Sequence, residues 1–280
     1  MENYDGIKAA IKGIFADVAD FREREITLGR LRLSVMYLSN YSSKRMITEY
    51  IISPVCRAYE EGAFSGGKER EFSPEAAITC SSVSDVADTD GAKEAILEGS
   101  CLVLYEYGGG GCRMLSVSTK NEEGRSVTEP ETENVIRGAH EGFVESGEQN
   151  AMLLRRRLKT ERLKKIDMQI GSLTKTSVSV MYIDGIADAD VISELLSRLR
   201  AIKADSILDS GYIELYIQDG GYSLYPTVGN SERPDKVAAK MLEGRAAVIV
   251  DGSPVVLTVP YLFCEALQVT EDYSKSVFYA

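Results

Sequence analysis

The chain repeats a segment of its own sequence 145 residues further on. The tetrapeptide SVMY at Ser34–Tyr37 returns at Ser179–Tyr182 (179 − 34 = 145). Other matches share this offset or one of 142: Leu97–Gly99 with Leu242–Gly244, Leu115–Val117 with Leu257–Val259, and Leu28-Gly29 with Ile170-Gly171. A period of this length indicates two similar subdomains rather than a solenoid of short repeats.

Hydrophobic patterning predicts a similar order of elements in both halves. In the first half we expect a strand at Leu31–Leu38, helices at Lys44–Glu60 and Asp90–Glu98, and a hairpin at Cys101–Tyr107 and Arg113–Val117. In the second half we expect a strand at Ser177–Ile183, helices at Ala189–Ala201, Tyr212–Gln218 and Pro234–Glu243, and a hairpin at Ala246–Val250 and Val255–Val259. The predicted fold class is α/β, with two similar subdomains (an internal duplication) that contain mixed sheets.

A helical connector is predicted between the two subdomains. The first lobe, with an N-terminal helix, covers residues 1–118, the connector covers 119–169 and the second lobe covers 170–280. Phe143, Leu154 and Leu158 share one face of a connector helix predicted at Glu141–Leu158. Two related lobes also predict a cleft or hinge between them.

Composition excludes several classes of function. The net charge of −11 disfavours nonspecific binding of nucleic acid. The five cysteines show no paired spacing and predict reduced thiols. His140 is the only histidine, so neither a metal site nor a catalytic triad is predicted, and we expect no enzyme and no cofactor. The sequence lacks a signal peptide, and its longest apolar run, Val255–Phe263, is too short to span a membrane, so we expect this chain to be soluble.

A run of basic residues, from Arg155 to Lys165, begins in the last turn of the predicted connector helix. One interpretation is a solvated helix end, because cations suit the negative end of the helix dipole. The other is a contact with anionic lipid headgroups or with an acidic partner surface.

Four segments carry a resemblance to a known family. They are TEPETENVIRGAHEGF (128–143), ILDSGYIE (207–214), RPDKVAAKMLEGRAAVIV (233–250) and TEDY (270–273). In this order they resemble the GerA family of spore germination proteins, specifically the N-terminal cytosolic domain of a germinant receptor A subunit. The resemblance covers nearly the whole chain.

The resemblance implies a location and partners. In the family this domain lies at the cytosolic face of the spore inner membrane, is followed by transmembrane helices absent from this chain, and works with B and C subunits. The A subunit is implicated as a homo-oligomeric channel. A non-enzymatic signalling and assembly domain is therefore expected, which couples nutrient sensing to ion release. The alternative is a small-ligand binding module that uses the cleft between the lobes.

Charged residues of the family signature are the candidate site. They are Glu129, Glu131, Arg137, Glu141, Glu145, Arg233 and Asp235. We expect their charges to hold the connector against the second lobe or against a neighbouring subunit. The competing interpretation is that they cap helices and pair within the chain.

Overall fold

The computed structural model describes residues 3–60, 74–108, 111–120, 141–219, 226–263 and 265. The chain divides into two compact units, Met1–Glu123 and Gly124–Ala280. Each unit contains a five-stranded sheet and several helices. The duplicated α/β architecture expected from the sequence is confirmed.

The first unit orders its strands β1-β2-β4-β5-β3. Its elements are α1 (Tyr4–Ile14), β1 (Phe21–Leu28), β2 (Leu31–Leu38), α2 (Lys44–Met46), a π-helical turn (Ile47–Ile52), α3 (Ser53–Glu60), a 3-10 turn (Pro74–Ala76), β3 (Val83–Val86), α4 (Thr89–Leu97), β4 (Cys101–Tyr107) and β5 (Arg113–Val117).

Both faces of the first sheet are covered because side chains alternate between the two faces of a strand. Leu33, Val35 and Val103 point to one face and pack with Ile51 and Val55 of the α2–α3 segment. On the other face, α1 and α4 contact each other and strand β4. One apolar stripe of α1, which includes the fully buried Ile11, supplies this second layer.

The helix predicted at Lys44–Glu60 forms, but its middle turn is widened. Proline lacks an N–H group and usually kinks or ends a helix. Here the segment before Pro54 is π-helical, and the N–H of Ser53 bonds to the carbonyl of Thr48, five residues back. The wider turn lets the helix pass Pro54 and continue to Glu60.

The second unit orders its strands β6-β7-β9-β10-β8, which is the same pattern. Its elements are α5 (Gly147–Arg157), β6 (Leu163–Ile170), β7 (Thr176–Ile183), α6 (Ala189–Ala201), α7 (Ser210–Ile217), β8 (Gly229–Ser231), α8 (Pro234–Leu242), β9 (Ala246–Val250) and β10 (Val256–Val259).

The second sheet also lies between two helical layers. On one face, Val180 and Val248 pack with Leu199 of α6 and Ile213 of α7. The opposite face packs with α5 and α8, and Leu154 is fully buried there. The helix that the sequence assigns to the connector therefore lies inside the second unit. Each unit thus begins with a helix and an antiparallel strand pair.

The register of the sheets reproduces the sequence repeat. Val35 pairs with Val103 in the first sheet, and Val180 pairs with Val248 in the second, so both partners shift by 145 (180 − 35 and 248 − 103). The next strand shifts by 142, because Val103 pairs with Leu115 and Val248 with Leu257 (257 − 115). The equivalent strands hold equivalent sheet positions, as the repeat predicts.

The expectation of mixed sheets is wrong in one respect, because every strand pair among the described residues is antiparallel. A strand followed by a helix and another strand suggests a parallel crossover. In each unit, however, the chain forms helices on both faces and an edge strand before it returns. It therefore re-enters the sheet beside β2 in the first unit and beside β7 in the second, and runs in the opposite direction to that strand. The edge strands β1, β3, β6 and β8 carry polar or short sequences and were not predicted.

Candidate functional site

Four of the seven signature residues lie in the described part of the second unit. Glu129, Glu131 and Arg137 fall outside the described residues, and their roles stay predictions. The described residues form two groups. Glu141 and Glu145 belong to the segment that leads into α5, and Arg233 and Asp235 begin α8.

The segment before α5 is fixed to the second unit through its backbone. The N–H of Phe143 donates to the carbonyl of Glu232 at 2.7 Å, and the N–H of Gly252 donates to the carbonyl of Glu145 at 2.8 Å. The Phe143 side chain is 4% exposed and packs in the core that α5 and α8 share. The backbone of Glu145 takes part in this anchoring, which charge-based reasoning did not predict.

Asn150 is the centre of this anchor. It is fully buried in α5; its Oδ1 accepts from the N–H of Val144 at 2.8 Å, and its Nδ2 donates to the carbonyl of Val144 at 2.6 Å. Asp251, in the β9–β10 turn, accepts from the N–H of Gly147 at 2.9 Å. Buried amides that are fully hydrogen-bonded specify one chain path, because any other path leaves them unpaired. The sequence signal was an amide on an apolar helix face, and it was overlooked.

Glu141 pairs with the basic run rather than with another element. Its Oε1 lies 3.3 Å from Nη1 of Arg156, and its Oε2 pairs with Nη2 of Arg157. Lys165 pairs with Asp167 at 2.5 Å, and Nε of Arg162 donates to the carbonyl of Asp184 at 2.7 Å. The basic residues therefore bind different partners within the second unit. This favours the interpretation that they pair within the chain over the interpretation that they form one cationic patch.

Arg233 is a buried guanidinium held by one carboxylate. Its side chain is 4% exposed; Nε donates to Oδ1 of Asp235 at 3.1 Å and Nη2 to Oδ2 at 2.5 Å. Among the residues that the structure describes, its Nη1 has no hydrogen-bond acceptor. The pair holds the first turn of α8, next to the carbonyl of Glu232 that binds Phe143.

A second group of buried charges holds the chain after β10. Glu265 forms an ion pair with Lys240 of α8, with Nζ 2.6 Å from its Oε2, and its Oε1 accepts from Nε of Arg245 at 3.0 Å. Burial opposes ionisation of Glu265, but the hydrogen bonds from Lys240 and from the N–H of Leu262 outweigh it, so its pKa is lowered. Burial also lowers the pKa of Lys240. Glu265 lies 20 and 25 positions after Arg245 and Lys240, so no local pattern indicated that these charges meet.

Helix α7 presents apolar side chains on both of its faces. Ile213 and Ile217 enter the core, while Leu215 is 76% exposed and Tyr216 is 48% exposed. Leu208, just before the helix, is 63% exposed, and Tyr212 is 42% exposed. A helix that is apolar all round is normally covered on all sides. The outward residues Leu208, Tyr212, Leu215 and Tyr216, here called the α7 face, therefore form a candidate docking surface.

The described residues offer little for chemistry. In that part of the chain no group of three His, Cys, Asp or Glu residues is placed to hold a metal ion. Burial raises the pKa of the Cys101 thiol, and burial followed by the charge of Glu106 raises that of Cys112 to about 11. Both thiols are therefore held in the unreactive protonated form at neutral pH. Over the same residues, no helix combines the length and apolarity needed to cross a membrane.

Comparison with known proteins gives consistent matches. The family profile described as "Bacillus/Clostridium GerA spore germination protein" matches residues 9–280. Spore germination protein KA of Bacillus subtilis (strain 168) is 36% identical over 253 residues, which cover 89% of this chain and 45% of that protein. The uncharacterized membrane protein YfkQ of the same organism is 42% identical over 205 residues, covering 73% of this chain and 39% of that protein. This chain thus spans less than half of the length of either relative.

A solved structure has the same fold. It is the crystal structure of the N-terminal domain of the A subunit of the Bacillus megaterium spore germinant receptor GerK3. It superposes with a TM-score of 0.68 at 30% sequence identity, and the match covers 94% of this chain and 96% of that one.

Proposed function

The chain belongs to the GerA family of spore germination proteins, and we propose that it is a signalling and assembly domain of a germinant receptor A subunit. Its role lies in spore germination, as the family and the solved A-subunit domain support. The proposed task is to couple nutrient sensing, which occurs elsewhere in the receptor, to ion release through the spore inner membrane. The domain does this by contact and movement, without catalysis.

The α7 face carries this proposal. The leucine and tyrosine side chains of the α7 face are 42–76% exposed and leave apolar area in water, which costs roughly 25 cal/mol per Å². Burial of that area against another receptor subunit would recover the energy. Tyrosine is also enriched at protein interfaces, because its ring is apolar and its hydroxyl stays polar.

The anchored segment before α5 supplies the mechanical part of the proposal. Phe143 and Asn150 bind this segment to α8 and to the β9–β10 turn, so the chain that enters at Glu141 is held against the second sheet. A displacement of the preceding signature segment would then act on α5 and α8 rather than on a loose loop. We expect Arg137, in that segment, to serve assembly rather than folding.

The proposed partners are those of the family. They are the B and C subunits, further copies of the A subunit, and the membrane through transmembrane helices outside this chain. The proposed location is the cytosolic face of the spore inner membrane.

A substitution in the complete receptor tests the α7 face. Leu215→Glu should reduce the nutrient-triggered germination rate at least tenfold, because it places a charge in the proposed interface. Leu215 is mostly exposed, so the stability of the isolated domain should change by no more than about 0.5 kcal/mol. Leu242→Glu, at a 57% exposed leucine ending α8, is the matched control.

The outcomes separate the possibilities. Germination at the parental rate in Leu215→Glu spores, with the receptor present at normal levels, would remove the observation that carries the proposal. Equal loss in both variants would point to a general effect of added charge. Arg137→Glu is expected to slow germination clearly while the melting temperature of this chain changes little.

A further inference from the structure

A groove of about 560 Å³ lies between strand β6 and the C-terminal end of α6. Its floor is apolar: Ile170 and Leu199 are 5% and 1% exposed and belong to the core, and Ile202 packs against them. The volume falls in the range of protein ligand pockets, roughly 300–1,000 Å³. This groove, named here the β6–α6 groove, lies within the second unit and shares no residue with the α7 face.

One wall of the groove is the edge of a sheet. Strand β6 is the first strand in the order β6-β7-β9-β10-β8, and it pairs only with β7 among the described strands. Met168, Gln169 and Ile170 of this edge line the groove. An unpaired strand edge offers backbone N–H and C=O groups in the spacing that an added strand requires.

The groove is closed at one end. The N–H of Ser172 donates to the carbonyl of Ala204 at 3.1 Å, and the N–H of Leu173 donates to the carbonyl of Asp205 at 2.9 Å. These bonds join the β6–β7 turn to the chain that leaves α6. The Asp205 carboxylate is occupied as well, because it accepts from the Ser172 hydroxyl at 2.7 Å.

Two cations line the groove. Arg200 and Lys203 are exposed, and within the described chain neither has an ion-pair partner. The neighbouring Arg198 behaves differently, since it pairs with Glu194 at 2.8 Å and with Asp219 at 2.7 Å. These two cations outnumber Asp205, the one carboxylate that lines the groove, and together with the apolar floor they favour an anionic and partly apolar ligand.

The first unit has a tyrosine at the corresponding place. Gly29 corresponds to Gly171 (171 − 29 = 142), and a Cβ at Gly29 would lie 2.7 Å from the Tyr59 hydroxyl. Helix α3 continues to Glu60, whereas α6 ends at Ala201, the equivalent of residue 56 (201 − 145). Tyr59 comes from this additional turn. In the second unit, the Thr174 hydroxyl and the backbone of Asp205 lie next to Gly171 instead, and the β6–α6 groove lies beside them.

We propose that the β6–α6 groove binds an extended acidic segment of a partner protein. The segment adds a strand to β6, places an apolar side chain on the floor formed by Ile170 and Leu199, and sets carboxylates against Arg200 and Lys203. A small anion would use the cations but neither the strand edge nor the floor. A lipid surface would require a broader basic patch than two side chains provide.

A binding assay with a defined probe tests the proposal. The probe is a fluorescein-labelled peptide, ELEVEIEVE, titrated with this chain while fluorescence anisotropy is recorded. Saturable binding is expected, and Arg200→Glu/Lys203→Glu should weaken it at least tenfold. The control Arg24→Glu/Lys159→Glu makes the same change of charge at exposed positions away from the groove and should leave the affinity within twofold.

Two further probes separate strand addition from charge attraction. A peptide N-methylated at alternate residues keeps every carboxylate but cannot form the strand ladder, and it should bind at least tenfold more weakly. Inorganic phosphate and phosphatidylglycerol vesicles should compete poorly.

The proposal is overturned if no saturable binding occurs up to about 1 mM peptide, a concentration that corresponds to a binding free energy near −4 kcal/mol. It is also overturned if the groove variant binds like the parent, or if methylation has no effect. Stronger binding to the vesicles than to the peptide would assign the groove to lipid instead.

Discussion

The first and second units place their strands in the same order and pair them in the same register, yet they differ around the sheets. In the first unit Tyr59, from the extended end of α3, lies next to Gly29, whereas in the second unit α6 ends earlier and the β6–α6 groove lies beside Gly171. The second unit carries α7 with its exposed apolar face, while the stretch before β3 in the first unit, residues 61–73, lies outside the described residues. Sheet pairing tolerates little change, because a slip of one residue turns every side chain to the other face. New surfaces therefore arise around a sheet whose pairing is kept.

The first helices of the two units show a second difference. Both α1 and α5 cover one face of their sheet, together with α4 and α8. Besides its buried apolar stripe, α1 is held by partly buried ion pairs, with Lys8 bonded to Glu23 at 2.7 Å and to Glu25 at 2.6 Å. Buried contacts of Phe143 and Asn150 support α5. We therefore expect the attachment of α5 to be the more sensitive to substitution.

The largest effect is expected for Phe143→Ala. Truncation of a buried aromatic residue costs about 3–5 kcal/mol, and the loss should appear in the unfolding of the second unit. Calorimetry with hydrogen exchange can assign it to that unit. Ile11→Ala, at the fully buried position in α1, is the matched change and should act on the first unit. If the Phe143→Ala variant unfolds at the same temperature as the parent, the segment before α5 is a flexible linker that does not stabilise the second unit.

Asp235→Ala should have the next largest effect. It leaves the buried Arg233 guanidinium without its carboxylate, and we expect a cost of about 2–3 kcal/mol, because Asp235 itself is about a third exposed. Chemical denaturation measures this cost. An apolar pair, Arg233→Met/Asp235→Leu, should recover much of the loss if the penalty comes from an unpaired charge. If the double variant is the less stable of the two, Arg233 has another essential acceptor.

Tyr59→Ala tests how much the contact between Tyr59 and the Gly29 turn stabilises the first unit. Tyr59 is only partly buried, so the cost should be about 1–2 kcal/mol in thermal unfolding. The reverse change, Ala204→Tyr, should fill the β6–α6 groove and abolish peptide binding. Peptide binding that survives in Ala204→Tyr would place the peptide elsewhere.

The ion pairs of α1 predict a pH dependence in the first unit. Burial opposes ionisation of Glu23, but hydrogen bonds from Lys12, Lys8 and Ser34 outweigh it and lower the pKa of Glu23 below its usual 4.5. A carboxyl group whose pKa is lower in the folded state stabilises the fold above pH 4.5, and this stabilisation is lost as pH falls through the folded-state pKa. Glu23→Gln should therefore cost about 1 kcal/mol at pH 7.

The difference in the free energy of unfolding between the parent and Glu23→Gln should shrink below pH 4.5, as measured by denaturation curves taken from pH 7 to pH 3. A difference that stays constant over this range would assign the effect to packing. The corresponding change in the second unit is Asp167→Asn, which removes the carboxylate bound by Lys165 and Ser179.

The smallest effect is expected for Arg156→Ala. Its side chain is half exposed and its ion pair with Glu141 lies at the surface, so stability should change by no more than about 0.5 kcal/mol. A loss above 1 kcal/mol would show that this pair contributes to the attachment of the segment before α5.

The sequence predicted the strongly apolar elements well. Strand Leu31–Leu38 and both strands of the first hairpin were predicted at their observed bounds. The edge strand β6 was missed, because Lys164, Lys165 and Asp167 break the apolar pattern used to recognise buried strands. The functional role of the candidate site stays a prediction. Arg233 and Asp235 do pair, but the anchoring of Glu145 through its carbonyl could not be read from its side-chain type.

The duplication and the family could be recognised from the sequence alone, because they depend on repeated or matching residues along the chain. The direction and register of the strand pairs, and the place of α5 in the second unit, are visible only in the structure. It alone revealed the buried partners of Asn150 and Glu265, the exposure of the α7 face and the open groove beside β6. These features depend on which distant residues meet, and on which apolar side chains remain uncovered after the cores have formed. Neither can be deduced from the pattern of residues that are close together in the sequence.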